Sequence, residues 1–157
     1  KHDDPKFGTH HARDAHGVFQ TLNQDLDLFS SAVKLNTQYM HSIWFELTLN
    51  RDTDMDEVLM RLENNHRVAR THKQEANLIF SFGRDHGYYG RILSQTVLVE
   101  PTLMVRNQRE ITGFCLTPQH GNSLISSGAA ALWLMEGDWK KVSERLQPLR
   151  RWVYREI

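Results

Sequence analysis

Cysteine is nearly absent from this chain, since Cys115 is the one cysteine among 157 residues. A lone cysteine cannot form an internal disulfide, so the fold has to be stable without one. A charged and then apolar leader is also missing, and these two absences together predict a reducing, cytoplasmic setting. The chain begins at Lys1 rather than at a methionine, from which we expect a processed protein or a piece of a longer one.

An excess of charge of either sign is missing as well. Lys plus Arg and Asp plus Glu both total 19, which gives a formal net charge of zero. This balance argues against the broad basic surface that contacts a phosphate backbone, so nucleic acid is not an expected partner. Hydrophobic residues make up 39% and charged residues 24%, which is typical of soluble globular proteins and predicts no membrane contact.

The sequence contains no Gly-x-Gly-x-x-Gly turn of the kind that holds a dinucleotide pyrophosphate. We therefore expect a nucleotide-binding domain to be absent and no cofactor to bind to this chain alone. The length fits a single domain over residues 1–157, long enough to bury one core.

Hydrophobic periodicity divides the chain into predicted elements. Residues 1–17 are polar and predict an arm or loop, whereas the alternation over 40–50 predicts a strand with His41 on one face and Trp44 and Glu46 on the other. Further along, the patterns predict a helix capped by Asp52 or Thr53 and ending near Asn64 and Asn65, a strand over 67–71, and a helix over 74–82 stopped by Gly83. Two strand segments over 96–99 and 102–106, interrupted at Pro101, then lead through a hairpin turn at 107–109 into a strand over 110–117. A helix from Asn122 or Ser123 to Met135, stopped by Gly137, and an amphipathic helix within 138–157, capped by Asp138, complete the prediction.

This order of elements predicts an α+β fold, in which a mixed, largely antiparallel sheet has helices packed on one face. The other sheet face, which carries Trp44 and Glu46, is then either a contact surface for a subunit or domain or a plain solvated surface. Both interpretations are open.

Four collinear segments resemble the catalytic and C-terminal region of the archaeal-type glyceraldehyde-3-phosphate dehydrogenases. THHARD (9–14) is similar to the family's Ser-His-His-Gly-Pro-Asp, and AVKLNTQYMH (32–41) to its Ala-Val-x-Val-Pro-Thr-Thr-x-Met-His. NLIFSFGRDHG (77–87) resembles Ile-x-Tyr-Gly-Arg-Asp-Leu-Gly, and LVEPTLMV (98–105) resembles Val-Trp-Glu-Glu-Ser-Ile-x-Val. The resemblance covers most of the chain from Thr9 to about Leu134.

The resemblance implies the catalytic-domain portion of a phosphorylating aldehyde dehydrogenase. Its substrates would be a phosphorylated aldehyde and inorganic phosphate, its cofactor NAD or NADP in a full-length enzyme, and its assembly a homo-oligomer. In such a reaction a cysteine thiolate adds to the carbonyl, hydride leaves to the nicotinamide, and phosphate releases the acyl group. A thiol needs a nearby base to become reactive at neutral pH, and histidine suits that task.

By position in the resemblance, His41 is the catalytic histidine. The family often has Met-His-x-His here, whereas this chain has Met40 and His41 followed by Ser42 and no second histidine. Without the resemblance, a half-buried strand histidine bonded to the backbone is the simpler interpretation.

The resemblance also assigns Thr9, His10 and His11, supported by Arg13, to binding a substrate phosphate or inorganic phosphate, because such a group needs several convergent donors. A solvated histidine-rich arm is the alternative, since Ala12-Arg13 replaces the family's Gly-Pro. The spacing of His10, His11 and His16 does not match a structural zinc site, so no metal is predicted. Arg84 and Asp85 are interpreted as a structural ion pair or cap.

The departures from the family leave two hypotheses. Cys115 lies in a predicted hairpin strand and is interpreted as a small buried hydrophobe, so the nucleophile has to come from elsewhere and the chain is expected to be inactive alone. Alternatively, the chain is a stand-alone, degenerate relative that acts as a binding or oligomerisation module through its histidine-rich arm and its basic last helix. The basic residues of that helix are Lys140, Lys141, Arg145, Arg150, Arg151 and Arg155.

Overall fold

A computed structural model describes residues 2–33 and 39–157 of the protein. Their contacts fall into two compact units, one within residues 2–33 and the other within 39–157. Because contact-defined units need not be independent domains, the single-domain assignment stays a prediction. Residues 34–38, which belong to one of the four resembling segments, lie outside the described residues.

The first unit contains one helix, α1 (His10–Gln20), where an irregular arm or loop was expected up to residue 17. Residues 2–9 are irregular, and the helix starts after Thr9, whose backbone is extended. The first turn is capped by a residue distant in sequence, because the Asp3 carboxylate accepts a hydrogen bond from the backbone N–H of His10 at 3.0 Å. Local sequence patterns do not reveal a cap of this kind, which is why the helix start was missed.

The second unit is built on four strands, β1 (Met40–Thr48), β2 (Val68–Thr71), β3 (Thr96–Arg106) and β4 (Glu110–Pro118). In the sheet their order is β1-β4-β3-β2. Strands β2 and β3 are parallel, and the other two pairings are antiparallel. This mixed, mostly antiparallel sheet confirms the predicted α+β class.

The β3–β4 hairpin turns at Asn107 and Gln108, whose φ angles of 49° and 60° are left-handed, as a tight hairpin turn requires. Within β3 the register shifts between Val99 and Met104 around Pro101, which has no backbone N–H to donate. The Thr102 hydroxyl compensates there by accepting the backbone N–H of Phe114 at 2.9 Å. Strand β3 therefore continues past Pro101, where an interruption was expected.

Four helices belong to the second unit: α2 (Met55–Glu63), α3 (Ala76–His86), α4 (Leu124–Glu136) and α5 (Trp139–Leu146). A 3₁₀ helix, Gln147–Trp152, follows α5 directly. The predicted end of α4 at Gly137 is confirmed, since Gly137 takes the left-handed conformation at its C-terminus. The predicted cap of the last helix is confirmed too, because the Asp138 carboxylate accepts the N–H of Lys140 at 2.8 Å.

Three helix boundaries differ from the predictions. The cap of α2 is Asp54, not Asp52 or Thr53, because the Asp54 side chain accepts the N–H of Glu57. Helix α3 runs through Gly83 and ends at His86. The regular α-helix within 138–157 stops at Leu146, because Pro148 cannot donate to a further α-helical turn.

The main core lies on the sheet face that carries Met40, Val97 and Leu116, and Ile79 of α3 packs against it. Gly83 permits this close packing, since a Cβ there would lie 3.3 Å from Cγ1 of Ile92 and 3.6 Å from Cε of Met40. On the opposite face, Leu98, Ile111 and Cys115 are also buried. The two central strands are therefore buried on both sides, whereas a single covered face was expected.

The outer edge of β2 is closed by the last residues of the chain. Arg70 donates its backbone N–H to Arg155 and accepts that of Ile157, both at 2.9 Å. The Thr71 hydroxyl also donates to the carbonyl of Ile157 at 2.6 Å. These bonds satisfy backbone groups that an edge strand otherwise leaves open. None of the helices in the described ranges is long and apolar enough to cross a membrane.

Candidate functional site

The candidate site lies at one end of the sheet, which we call the histidine end. Here β1 and β3 begin and β4 ends, because Met40 pairs with Pro118, His41 with Thr117, and Val97 with Leu116. The loop from α3 into β3 and the loop from β4 into α4 therefore meet at this end. Loops gathered at one end of a sheet are a common place for binding and catalytic residues.

His41 is exposed at the histidine end and shares a sheet face with Thr117. Next to it, the hydroxyl oxygens of Thr117 and Thr96 are 3.4 Å apart, so a polar row crosses three strands. In the part of the chain that the structure describes, the His41 ring makes no hydrogen bond or ion pair. It is therefore not the backbone-bonded, half-buried histidine of the simpler interpretation, and its ring nitrogens are available for proton transfer.

The loops of the histidine end carry unusual backbone conformations. Tyr89 and Ser94 have φ angles of 48° and 50°, and Gly121 has a φ angle of 94°. Ser94 joins the two loops, since its N–H and its hydroxyl donate to the carbonyl of Gly121 at 3.0 and 3.3 Å. Left-handed non-glycine residues each cost on the order of 1–3 kcal/mol and concentrate at functional sites. The backbone at this end is thus held in place by specific bonds.

Two polar residues at the histidine end were missed by sequence reasoning. Arg91 and His120 line a small cavity of about 40 Å³ beside Met40 and Gly83. A space of this size holds a water molecule rather than a substrate. The available sequence signal was the glycine next to each residue, Gly90 and Gly121, both of which have positive φ.

Arg84 and Asp85 form the structural ion pair that was predicted. The guanidinium donates to both carboxylate oxygens at 2.7 and 3.0 Å. This hydrogen bonding lowers the pKa of Asp85 and raises that of Arg84. Both side chains are exposed, so the pair stabilises the fold little.

The predicted phosphate donors lie in the first unit, where most of them already have partners. Thr9 is 2% exposed, and its hydroxyl lies 2.6 Å from that of Ser30. The His10 ring contacts the Asp3 carboxylate at 3.1 Å. The His11 ring stacks against that of His10, with centroids 4.0 Å apart.

Arg13 is surrounded by carboxylates. Its guanidinium nitrogens lie 3.6 Å from Asp4 and 3.5 Å from Asp14. The pKa of Asp4 is lowered, chiefly by the backbone N–H of Phe7, so this carboxylate stays charged at neutral pH. Phosphate binding by these residues stays a prediction, as does their convergence with His41, which belongs to the other unit.

Cys115 cannot act as a nucleophile in this structure. It is 9% exposed, and burial raises the pKa of its thiol to about 11. The reactive form of cysteine is the thiolate, which is scarce at neutral pH when the pKa is so high. The prediction that Cys115 is a buried hydrophobe is confirmed.

Neither a glycine-rich turn after β2 nor a cluster of metal-binding side chains occurs in the described residues. The parallel pair β2 and β3 with α3 between them is a βαβ unit, but residues 72–75, which join β2 to α3, include no glycine. Over residues 2–33 and 39–157, no three His, Cys, Asp or Glu side chains are grouped so that they could hold a metal ion.

No protein-family model matches the chain, and no curated protein matches it either.

Proposed function

We propose that this chain is the catalytic-domain portion of a phosphorylating aldehyde dehydrogenase of the glyceraldehyde-3-phosphate dehydrogenase type, with His41 as its acid–base residue. The observation that supports this role is the exposed imidazole of His41, which has no hydrogen-bond or ion-pair partner in the described ranges and lies at the histidine end of β1, the sheet end to which the loops with Ser94 and Gly121 also belong. A residue that transfers protons needs ring nitrogens without competing partners, and it needs a backbone held in a fixed position.

The proposed chemistry assigns His41 two proton transfers. The imidazole accepts the proton of a substrate-binding thiol, and the resulting thiolate forms a carbon–sulfur bond to the aldehyde carbon. The imidazolium then donates to the oxygen that becomes negatively charged when the carbonyl π bond breaks. The thiol has to come from outside these residues because Cys115 is buried, and the same holds for the site of the hydride acceptor, NAD or NADP.

The remaining parts of the proposal follow from this assignment. The substrates are a phosphorylated aldehyde and inorganic phosphate, and Thr9, His10, His11 and Arg13 are the proposed phosphate-binding residues. To bind phosphate, the His10 and Arg13 side chains have to exchange Asp3 and Asp4 for the ligand. The assembly is a homo-oligomer and its setting the cytoplasm.

The direct test uses the product of the complete reading frame. We expect it to reduce NAD or NADP when a phosphorylated aldehyde and inorganic phosphate are both present, and to form an acyl phosphate that hydroxylamine traps as a hydroxamate. Hydroxylamine is added after the reaction, and omitting the aldehyde should abolish the hydroxamate. Omitting the phosphate should lower it to at most the amount of enzyme, because an acyl group held on the thiol also reacts with hydroxylamine. Failure to form hydroxamate with any phosphorylated aldehyde, or a reading frame whose start codon lies directly before the codon of Lys1, would contradict the proposal.

A second candidate function is a binding or oligomerisation module without catalysis. The observation that favours it is the exposed apolar cross-strand pair of Trp44 and Phe114, which are 56% and 43% exposed. The basic last segment offers a partner fewer unpaired positive charges than expected, because Lys141 and Arg145 both pair with Glu136. A protein that assembles but forms no hydroxamate would support this candidate.

A further inference from the structure

We propose that the second unit contains a binding site for a small amphipathic anion, a molecule with an apolar body and one phosphate or carboxylate group. The site is a partly open cavity of about 660 Å³ lined by residues of α2, β2, α4, α5 and the 3₁₀ helix. This volume lies in the range of about 300–1,000 Å³ that is usual for small-molecule sites. His41 does not line it.

The apolar residues of the cavity lining indicate that the larger part of the proposed ligand is apolar. Val142, which is 2% exposed, lies on α5, and Leu146 and Leu149 follow it along the chain. Ile125 and Ala129 of α4 also line the cavity. Burial of a ligand against such side chains contributes about 25 cal/mol per Å² of apolar surface, so an aliphatic or aromatic body is favoured over a sugar.

The charge of the proposed ligand is set by arginines in the lining. Four arginines line the cavity (Arg67, Arg70, Arg150 and Arg155), against two carboxylates (Glu63 and Glu156). Arg70 pairs with Glu100, whereas Arg67, Arg150 and Arg155 pair with no carboxylate in the described part of the chain. Two of them are held by hydroxyls instead, since Arg67 donates to Ser126 at 2.9 Å and Arg150 to Ser143 at 2.7 Å. A guanidinium bonded to a neutral group retains its full charge and further N–H donors for a phosphate or carboxylate.

The cavity wall is fixed before any ligand binds. Gln95 is 2% exposed, and its amide nitrogen donates to the carbonyls of His66 and Tyr154 at 3.1 and 2.8 Å. Its amide oxygen accepts the N–H of Tyr154 at 2.9 Å. One side chain therefore connects three separate segments around the cavity, and a preformed site avoids an ordering cost on binding.

The test uses 1-naphthyl phosphate as the probe, with binding followed by calorimetry and by the fluorescence of Trp139, which lines the cavity. We expect saturable binding at one site per chain. Because the site needs both features of the ligand, inorganic phosphate and 1-naphthol should each bind at least about tenfold more weakly. Equal binding of 1-naphthol would overturn the role of the arginines, and absence of probe binding would overturn the site.

Variants locate the site. Arg67→Gln and Arg150→Gln should each weaken binding of the probe about tenfold or more. Arg151→Gln is the matched control, because Arg151 is the neighbouring arginine and is not part of the lining, so its affinity should match wild type. Ala129→Phe fills the cavity and should abolish binding, with circular dichroism used to check that the fold is kept. Unchanged affinity in both cavity arginine variants, or equal losses in Arg150→Gln and Arg151→Gln, would contradict the proposal.

Discussion

At the scale of single residues, exposure separates the side chains that can react from those that cannot. Cys115 and His41 lie on the same face of adjacent strands, since Cys115 pairs with Ile43, two residues beyond His41. Cys115 is buried, whereas His41 is exposed. Cysteine and histidine are the residue types of a catalytic thiol–imidazole pair, but Cys115 and His41 cannot act as such a pair. The proposed thiol therefore has to reach His41 from solvent.

The buried thiol gives a prediction about reactivity and pH. Because burial raises the Cys115 pKa to about 11 from an ordinary value of 9.0, a thiol reagent at pH 8 should label the folded protein far more slowly than the urea-unfolded protein. The Cys115 thiol binds its proton more tightly in the folded state than in the unfolded state, so its contribution to the free energy of unfolding should decrease as pH rises through 9 towards 11.

Labelling by a chromogenic disulfide and urea unfolding between pH 8 and 11 measure these effects. Cys115→Ala is the control and should lose the part of the alkaline decrease that comes from the thiol. Rapid labelling of the folded protein would show that the thiol is accessible and would contradict its assignment as a core residue.

Residue roles were predictable from sequence where the signal is local. The Arg84–Asp85 pair joins adjacent residues of one helix, and its interpretation is confirmed. Arg91 and His120 were missed because they approach Met40 through two loops whose conformations depend on Gly90, Ser94 and Gly121. Long-range bonds between loops leave no periodic pattern in the sequence.

At the scale of elements, capping determined which predicted boundaries were right. Gly137 and Asp138 mark the end of α4 and the start of α5, as local rules predict. For α2 three adjacent polar residues competed, and Asp54 rather than Asp52 or Thr53 bonds to the N–H of Glu57. The Asp52 side chain instead receives a bond from Arg109 in the hairpin turn, a contact between distant segments.

We predict that Asp54→Ala lowers the free energy of unfolding by about 1 kcal/mol, because the first turn of α2 loses its cap. Urea denaturation followed by circular dichroism measures this loss. Ser123→Ala is the matched control, since Ser123 precedes α4 without a side-chain cap bond and should change stability by less than about 0.5 kcal/mol. Equal effects of the two substitutions would contradict the capping assignment.

The α2 segment also contains the carboxylate with the largest downward pKa shift among the described groups. Hydrogen bonds from Arg51, Arg61 and Thr53 lower the pKa of Glu57 to about 2. A lowered pKa stabilises the folded state at pH values above the ordinary glutamate pKa of 4.5, and that contribution is lost as pH falls towards 2. These bonds attach the segment before α2 to the first turns of the helix, which the sequence pattern alone did not indicate.

At the scale of the whole molecule, the α+β class was predictable because strand alternation and helix periodicity are strong along residues 40–157. The compact unit within residues 2–33 was not predicted. Its helix α1 is capped by Asp3, which lies outside the helix, and the unit has no cysteine pair that would indicate a compact fold from the sequence. Burial on both faces of β3 and β4 was also missed. Leu98 and Cys115 point away from the main core, and in a sheet with one covered face residues at such positions are exposed, so the sequence did not indicate that they are buried.

The exposed apolar sheet surface gives a prediction about assembly. Trp44, Met104 and Phe114 lie on the same sheet face as Met40 and Leu116, but farther along the strands from the histidine end, and are 56%, 55% and 43% exposed. If the protein is a homo-oligomer that uses this face, Trp44→Lys should shift it towards the monomer, because an unpaired charge is costly to bury.

Sedimentation equilibrium measures the assembly. Met60→Lys is the control, since Met60 on α2 is similarly exposed and should leave the mass unchanged. A monomeric wild type, or the same mass for wild type and Trp44→Lys, would contradict assembly through this face.

The acid–base role of His41 is tested most directly by the turnover of His41→Ala in the product of the complete reading frame. We predict a loss of about 10²–10⁴-fold, as expected when a positioned proton-transfer group is removed, with partial recovery on adding imidazole. His72→Ala is the matched control, because His72 is exposed beyond the end of β2, at the opposite edge of the sheet, and should retain wild-type turnover. Wild-type turnover in a folded His41→Ala protein would contradict the proposed function of this residue.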